Sequence, residues 1–213
     1  MSTATTPLAR PQTSRFTAKH IFWIAMGLAG LSVLWSSEWP IITHPSDPYT
    51  RKIILDRFLL IPHALAGIAA TFLGPFQFSA RFRQRHLALH RTMGKVYVIS
   101  ILVAAPSALI LGQRGFSFPM KFMGALQPVL WLACTVLAFI TARNRQITVH
   151  RQWMIRSYAF TLNFIFARVL NFIPAYFAIS EVGLAMTLSL LTASYFFVPD
   201  VVFNWRELTH RRA

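Results

Sequence analysis

The chain has 213 residues, 55% of them hydrophobic, with 21 Lys and Arg against 6 Asp and Glu and a net charge of +15. That is too apolar for an ordinary soluble domain, and the basic residues fall between apolar runs, so membrane topology explains the charge and sets aside the nucleic-acid reading. A single cysteine, Cys134, excludes a disulfide framework and a thiolate metal site and reads as a small core residue.

In chain order, residues 1–20 form a polar segment with Pro7 and Pro11 that ends on a basic stretch. No convincing cleavage site follows, so the first apolar run is read as an uncleaved anchor. The predicted spans are Ile21 to Ser36, Phe58 to Phe78, Val96 to Leu111, Phe122 to Ala142, Ser157 to Ile179 and Gly183 to Asn204. A bilayer-crossing helix needs about 17 to 25 apolar residues. Between the first two, Ser37 to Arg57 contains Pro40, Pro45 and Pro48 and reads as an extended outer loop. Residues 205–213 form a polar tail. The expected fold is all-α, a six-helix transmembrane bundle over residues 21–204.

Orientation follows from charge. With the N-terminus inside, the inner segments carry 15 basic residues and the outer ones 5, and Arg168 lies within a span. Trp35 and Trp39 mark an outer boundary, Trp153 and Trp205 an inner one. The expected location is the bacterial inner membrane, with both termini cytoplasmic and anionic lipids as partners on that side. A membrane-protein partner or a second copy suits the exposed aromatics, Phe196 and Phe197 among them.

One phrase occurs twice. Arg81-Phe82-Arg83-Gln84 runs on to His90-Arg91, and Arg143-Asn144-Arg145-Gln146 to His150-Arg151, the first spacer being two residues longer. Met93 and Tyr97 follow one copy, Met154 and Tyr158 the other. The repetition predicts duplicated hairpins, about residues 57–111 and 122–179, related by an axis along the membrane normal.

The candidate site residues sit in and near these bends. His86 and His90 are four residues apart and share a side if the bend is helical; His150 arrives from the other copy. Two imidazoles from neighbouring helices suffice for six-coordinate haem, so His90 and His150 are the candidate iron ligands, with Arg91, Arg151 and Arg156 for propionates or headgroups. His63 follows Pro62 and precedes Ala64, Ala66 and Gly67, small residues that admit a close neighbour. At 1.5 Å per residue it stands roughly 20 Å or more from the inner histidines and cannot share a ligand with them. Arg168 stands near mid-membrane, where an arginine costs about 2.5 kcal/mol or more and calls for a partner. Asn171, Asn163 and, through a structural ion pair, Asp200 are the candidates; the functional alternative is that the guanidinium holds an anion, a propionate or a quinone carbonyl. Pro75, Pro106, Pro128, Pro174 and Pro199 put one helix-distorting residue in each of five spans.

The pattern His63 to Gly67, Gly74-Pro75-Phe76-Gln77, Arg81, Arg83, His90-Arg91 with Gly94 and Tyr97, then His150 to Ala159 and Arg168, resembles the bacterial membrane-protein family catalogued as domain of unknown function 2306, over about residues 57–175. The resemblance implies an integral-membrane class and no particular activity. More distantly, the His-Arg hairpins are similar to cytochrome oxidase maturation proteins and to b561-type dihaem cytochromes, which place their ligands at two depths. Three functions are expected to compete: electron transfer through haem b or a quinone near His90 and His150, transport of a small anion or proton-coupled substrate along Arg168, and an accessory or assembly role in a respiratory complex. No hydrolytic triad, phosphate loop or dinucleotide fingerprint stands out.

Overall fold

The computed structural model describes residues 18–33, 35, 57–114, 117–170, 173 and 179–209. These form seven helices: α1 Ala18–Val33, α2 Arg57–Gln77, α3 Ala80–Arg85, α4 Leu87–Leu111, α5 Phe118–Arg143, α6 Ile147–Leu170 and α7 Glu181–Thr209. By length and composition, four of them, α2, α4, α5 and α7, can cross a membrane. The other two expected spans fall on α1, with 16 residues, and on α6, the least apolar of the long helices. The expected outer loop, Trp39, Pro174, Asn171, the first 17 residues and the last four lie outside the described residues.

Two helix starts differ from the sequence expectation by more than two helical turns. The third span was expected from Val96, but α4 starts at Leu87. The fifth was expected from Ser157, but α6 starts at Ile147. In both cases the His-Arg end of the basic phrase is helical rather than loop. Hydropathy marks where a helix enters the apolar layer, whereas the helix itself begins wherever its backbone bonds close.

The α6 helix is less apolar because it is the most enclosed. It packs against α5, α7, α1 and α2, and Arg156, Ser157 and Thr161 are buried along it. Polar side chains on such a helix meet other helices rather than lipid, where their hydrogen bonds hold the bundle together.

Two glycines set how closely helices approach. A Cβ at Gly74 of α2 would fall inside the ring of Tyr158 on α6. That ring is held by a 2.9 Å bond from its hydroxyl to the Thr71 carbonyl and by Phe78, at a centroid distance of 5.3 Å. At the far end from the bends, the backbones of α4 and α5 nearly touch: a Cβ on Gly112 would lie 2.7 Å from the Gly124 oxygen, and one on Gly124 would lie 2.8 Å from the Gly112 oxygen.

Both bends lie at the same end of the bundle, since α2, α4, α5 and α6 run alternately up and down through packed neighbours. Their geometry differs. In the first, Ser79 caps α3 by accepting from the Phe82 amide at 3.2 Å, and the chain turns at His86, the N-cap of α4. In the second, the Gln146 amide donates to Thr141 O at 2.9 Å and the Arg145 amide to Ala142 O at 3.1 Å. Arg145 there takes the left-handed conformation, φ 59°. This is the helix-ending pattern usually built on glycine. The first bend, with its longer spacer, holds the short helix α3, which has no counterpart in the second.

Candidate functional site

The bends place their histidines on helix starts. His90 is in the first turn of α4 and His150 in the first turn of α6, both half-buried. Arg83, His150 and Arg91 lie close enough to His90 for their charges to act on it. The expected pair is therefore brought together. The expected His86 and His90 face is not: the helix breaks at His86 (φ −135°, ψ 57°), which leaves His86 exposed and beside the Phe82 ring, at 5.6 Å.

The two histidines differ in what orients them. His150 Nδ1 bonds to the Ala138 carbonyl of α5 at 2.8 Å. His90 Nδ1 is buried and has no partner, and neither has the Nε2 of Gln77 at the end of α2. Gln77 is 9% exposed and packs over Gly94. His63 sits in α2 toward the far end, where its Nδ1 bonds to the Ala104 carbonyl of α4 at 2.8 Å. That bond ties α2 to α4 at a depth separate from the other histidines.

Of the candidate arginines, Arg91 and Arg151 are exposed at the bends. Arg156 is not with them. It is 6% exposed, paired with Asp200 of α7, and its guanidinium lies 5.0 Å from the Trp153 ring centroid. Asp200 is one of the candidate partners for Arg168; among the described residues it pairs with Arg156, about 18 Å nearer the bends by helical rise. The Arg168 side chain lies outside the described residues. Asn163, expected near it, is engaged elsewhere: its amide donates to Gln127 Oε1 at 3.3 Å and its carbonyl accepts from the Tyr195 hydroxyl at 2.7 Å.

Two turns above the histidines lies a polar layer that sequence reasoning missed. Thr135 donates to the Trp131 carbonyl at 2.8 Å, so at its 2.7 Å contact with Ser157 it accepts. Ser157 in turn accepts from the Tyr97 hydroxyl at 2.9 Å. Trp131 Nε1 donates to Thr161 Oγ1 at 3.2 Å, which also meets Tyr97 at 2.9 Å. Tyr97, Thr135 and Ser157 are completely buried. The signal was present: Tyr97 follows His90, and Ser157 follows His150, by seven residues, two turns along one face. The repeat paired Tyr97 with Tyr158, yet Tyr158 points about 100° away from Ser157 round α6 and meets Gly74 of α2. Tyr97→Phe and Ser157→Ala should each destabilise the protein by about 1 kcal/mol, with the double change costing less than the sum. Unfolding in mixed micelles measures it.

Cys134 is 1% exposed, a core position as expected. Among the described residues there is no group of three or more His, Cys, Asp or Glu able to hold a metal ion.

No curated protein and no solved structure matches the chain. A family described as "Predicted membrane protein (DUF2306)" matches residues 60–205. That range contains the bends, the polar layer, the apolar helices α4 and α5 and most of α2 and α7, and the chain is thus a multi-pass membrane protein belonging to the DUF2306 family.

Proposed function

We propose that the bend end of the bundle binds haem b between His90 and His150 and that the protein serves electron transfer within the membrane. The convergence of these two imidazoles, from α4 and α6, carries the reading. With Nδ1 of His150 held by the Ala138 carbonyl, its Nε2 is left with a free lone pair, the usual state of a metal-ligating histidine. The donor set suits haem, because the porphyrin supplies four ligands and the protein only two. When bound, the group supplies one-electron chemistry. The chain's part is to fix the two rings and to present Arg83, Arg91 and Arg151 to the propionates. Arg156 is committed to Asp200 and has no share in this.

Oriented by its charges, the protein lies in the bacterial inner membrane with bends and termini in the cytoplasm. Each bend then presents exposed apolar side chains, Leu87 and Leu89 or Ile147 and Val149, beside exposed arginines such as Arg85, Arg91, Arg145 and Arg151. This composition suits an anionic lipid surface. Reporter fusions at Arg85 and Arg145 should read cytoplasmic and a fusion at Arg114 external; one reversed site refutes the topology.

The absorption spectrum of detergent-purified protein from haem-replete cells tests the main reading. A Soret band with reducible α and β bands, lost in both His90→Ala and His150→Ala, is expected. A colourless wild-type preparation that takes up no added haem overturns it and leaves a quinone as the next ligand to titrate.

A further inference from the structure

Two buried nitrogens without partners, Gln77 Nε2 and His90 Nδ1, occur at the same end of neighbouring helices. Gly94 connects them. It follows His90 by four residues on α4, so the two positions share a face one turn apart. Gln77 Oε1 lies 3.3 Å from where a Gly94 Cβ would stand. The amide of Gln77 therefore fills the space over Gly94, one turn along α4 from His90, and the missing Cβ leaves room for it to turn.

The second hairpin supplies the comparison. His150 is oriented by Ala138, a carbonyl twelve residues earlier on the preceding helix. Gln77 stands thirteen residues before His90, at the end of α2, which packs against α4. We propose that Gln77 is the positioning residue for His90, its side-chain amide doing for this ring what the Ala138 backbone does for His150. The inference rests on the haem reading above.

An amide suits both states of the ring. With the proton on Nε2, His90 Nδ1 is an acceptor and the Gln77 –NH2 group is its donor. When Nε2 takes up a ligand, the proton sits on Nδ1 and the amide, turned over, accepts it through Oε1. An acceptor at that nitrogen fixes the plane of the ring and raises its basicity.

Two measurements on the full-length protein separate this from a purely structural role. In the haem-free form, 15N-histidine NMR should show Gln77→Leu changing the tautomer ratio of His90 while leaving His150 as it was. In a haem titration, Gln77→Leu should weaken binding by about 10- to 100-fold. Gln77→Glu should restore binding and lower the reduction potential, because an anionic acceptor makes the ring more basic. Unmoved His90 resonances in the Leu variant, or wild-type affinity and potential in both variants, overturn the role of Gln77. A wild type that binds no haem refutes the haem reading, and the NMR result then decides the Gln77 contact on its own.

Discussion

Gly74→Ala is expected to destabilise the bundle by about 3 kcal/mol, as overpacking plus the loss of a hydrogen bond. The added methyl would fall within the Tyr158 ring, and the ring cannot swing aside cheaply. Its hydroxyl is bonded to the Thr71 carbonyl on the same helix as Gly74, and its edge meets Phe78. Unfolding in mixed micelles should show the loss. Gly74→Ala combined with Tyr158→Leu should cost less than the two changes added together, because each removes the reason for the other's penalty. Full additivity would show that the contact does not limit the approach of α2 to α6.

Asp200→Ala is the second large effect, and its size follows from an asymmetry of burial. The Arg156 side chain is 7% exposed and that of Asp200 54%. Removing the carboxylate strands a buried cation, for which about 3 kcal/mol is expected. Removing the arginine leaves a half-exposed carboxylate that water or a headgroup can solvate, so Arg156→Leu should cost nearer 1 kcal/mol, part of it the lost packing on Trp153. The double change should recover most of what Asp200→Ala loses. Equal costs for the two single changes would contradict this ordering.

Depth was legible in the sequence and rotation was not. The apolar runs placed α2, α4, α5 and α7, and the doubled phrase placed His90 and His150 at one end. The partner of Asp200 was not legible because lipid is as apolar as a helix interface, so an apolar helix shows no stripe to say which way Asp200 faces. The polar layer of Tyr97, Thr135 and Ser157 escaped notice for a related reason: single hydroxyls scattered in apolar runs gain meaning only when three helices bring them together. The helix break at His86 turned on how two extra residues are accommodated, which spacing alone leaves open.

The crossing of Gly112 and Gly124 makes a fulcrum. With backbone against backbone, no side chain separates α4 from α5 there, so their crossing angle governs how far apart their other ends stand. His90 lies 22 residues from Gly112, a lever arm of about 33 Å by helical rise, and one degree of tilt displaces it by roughly 0.6 Å. The glycines at the far end thus fix, through that angle, where His90 stands.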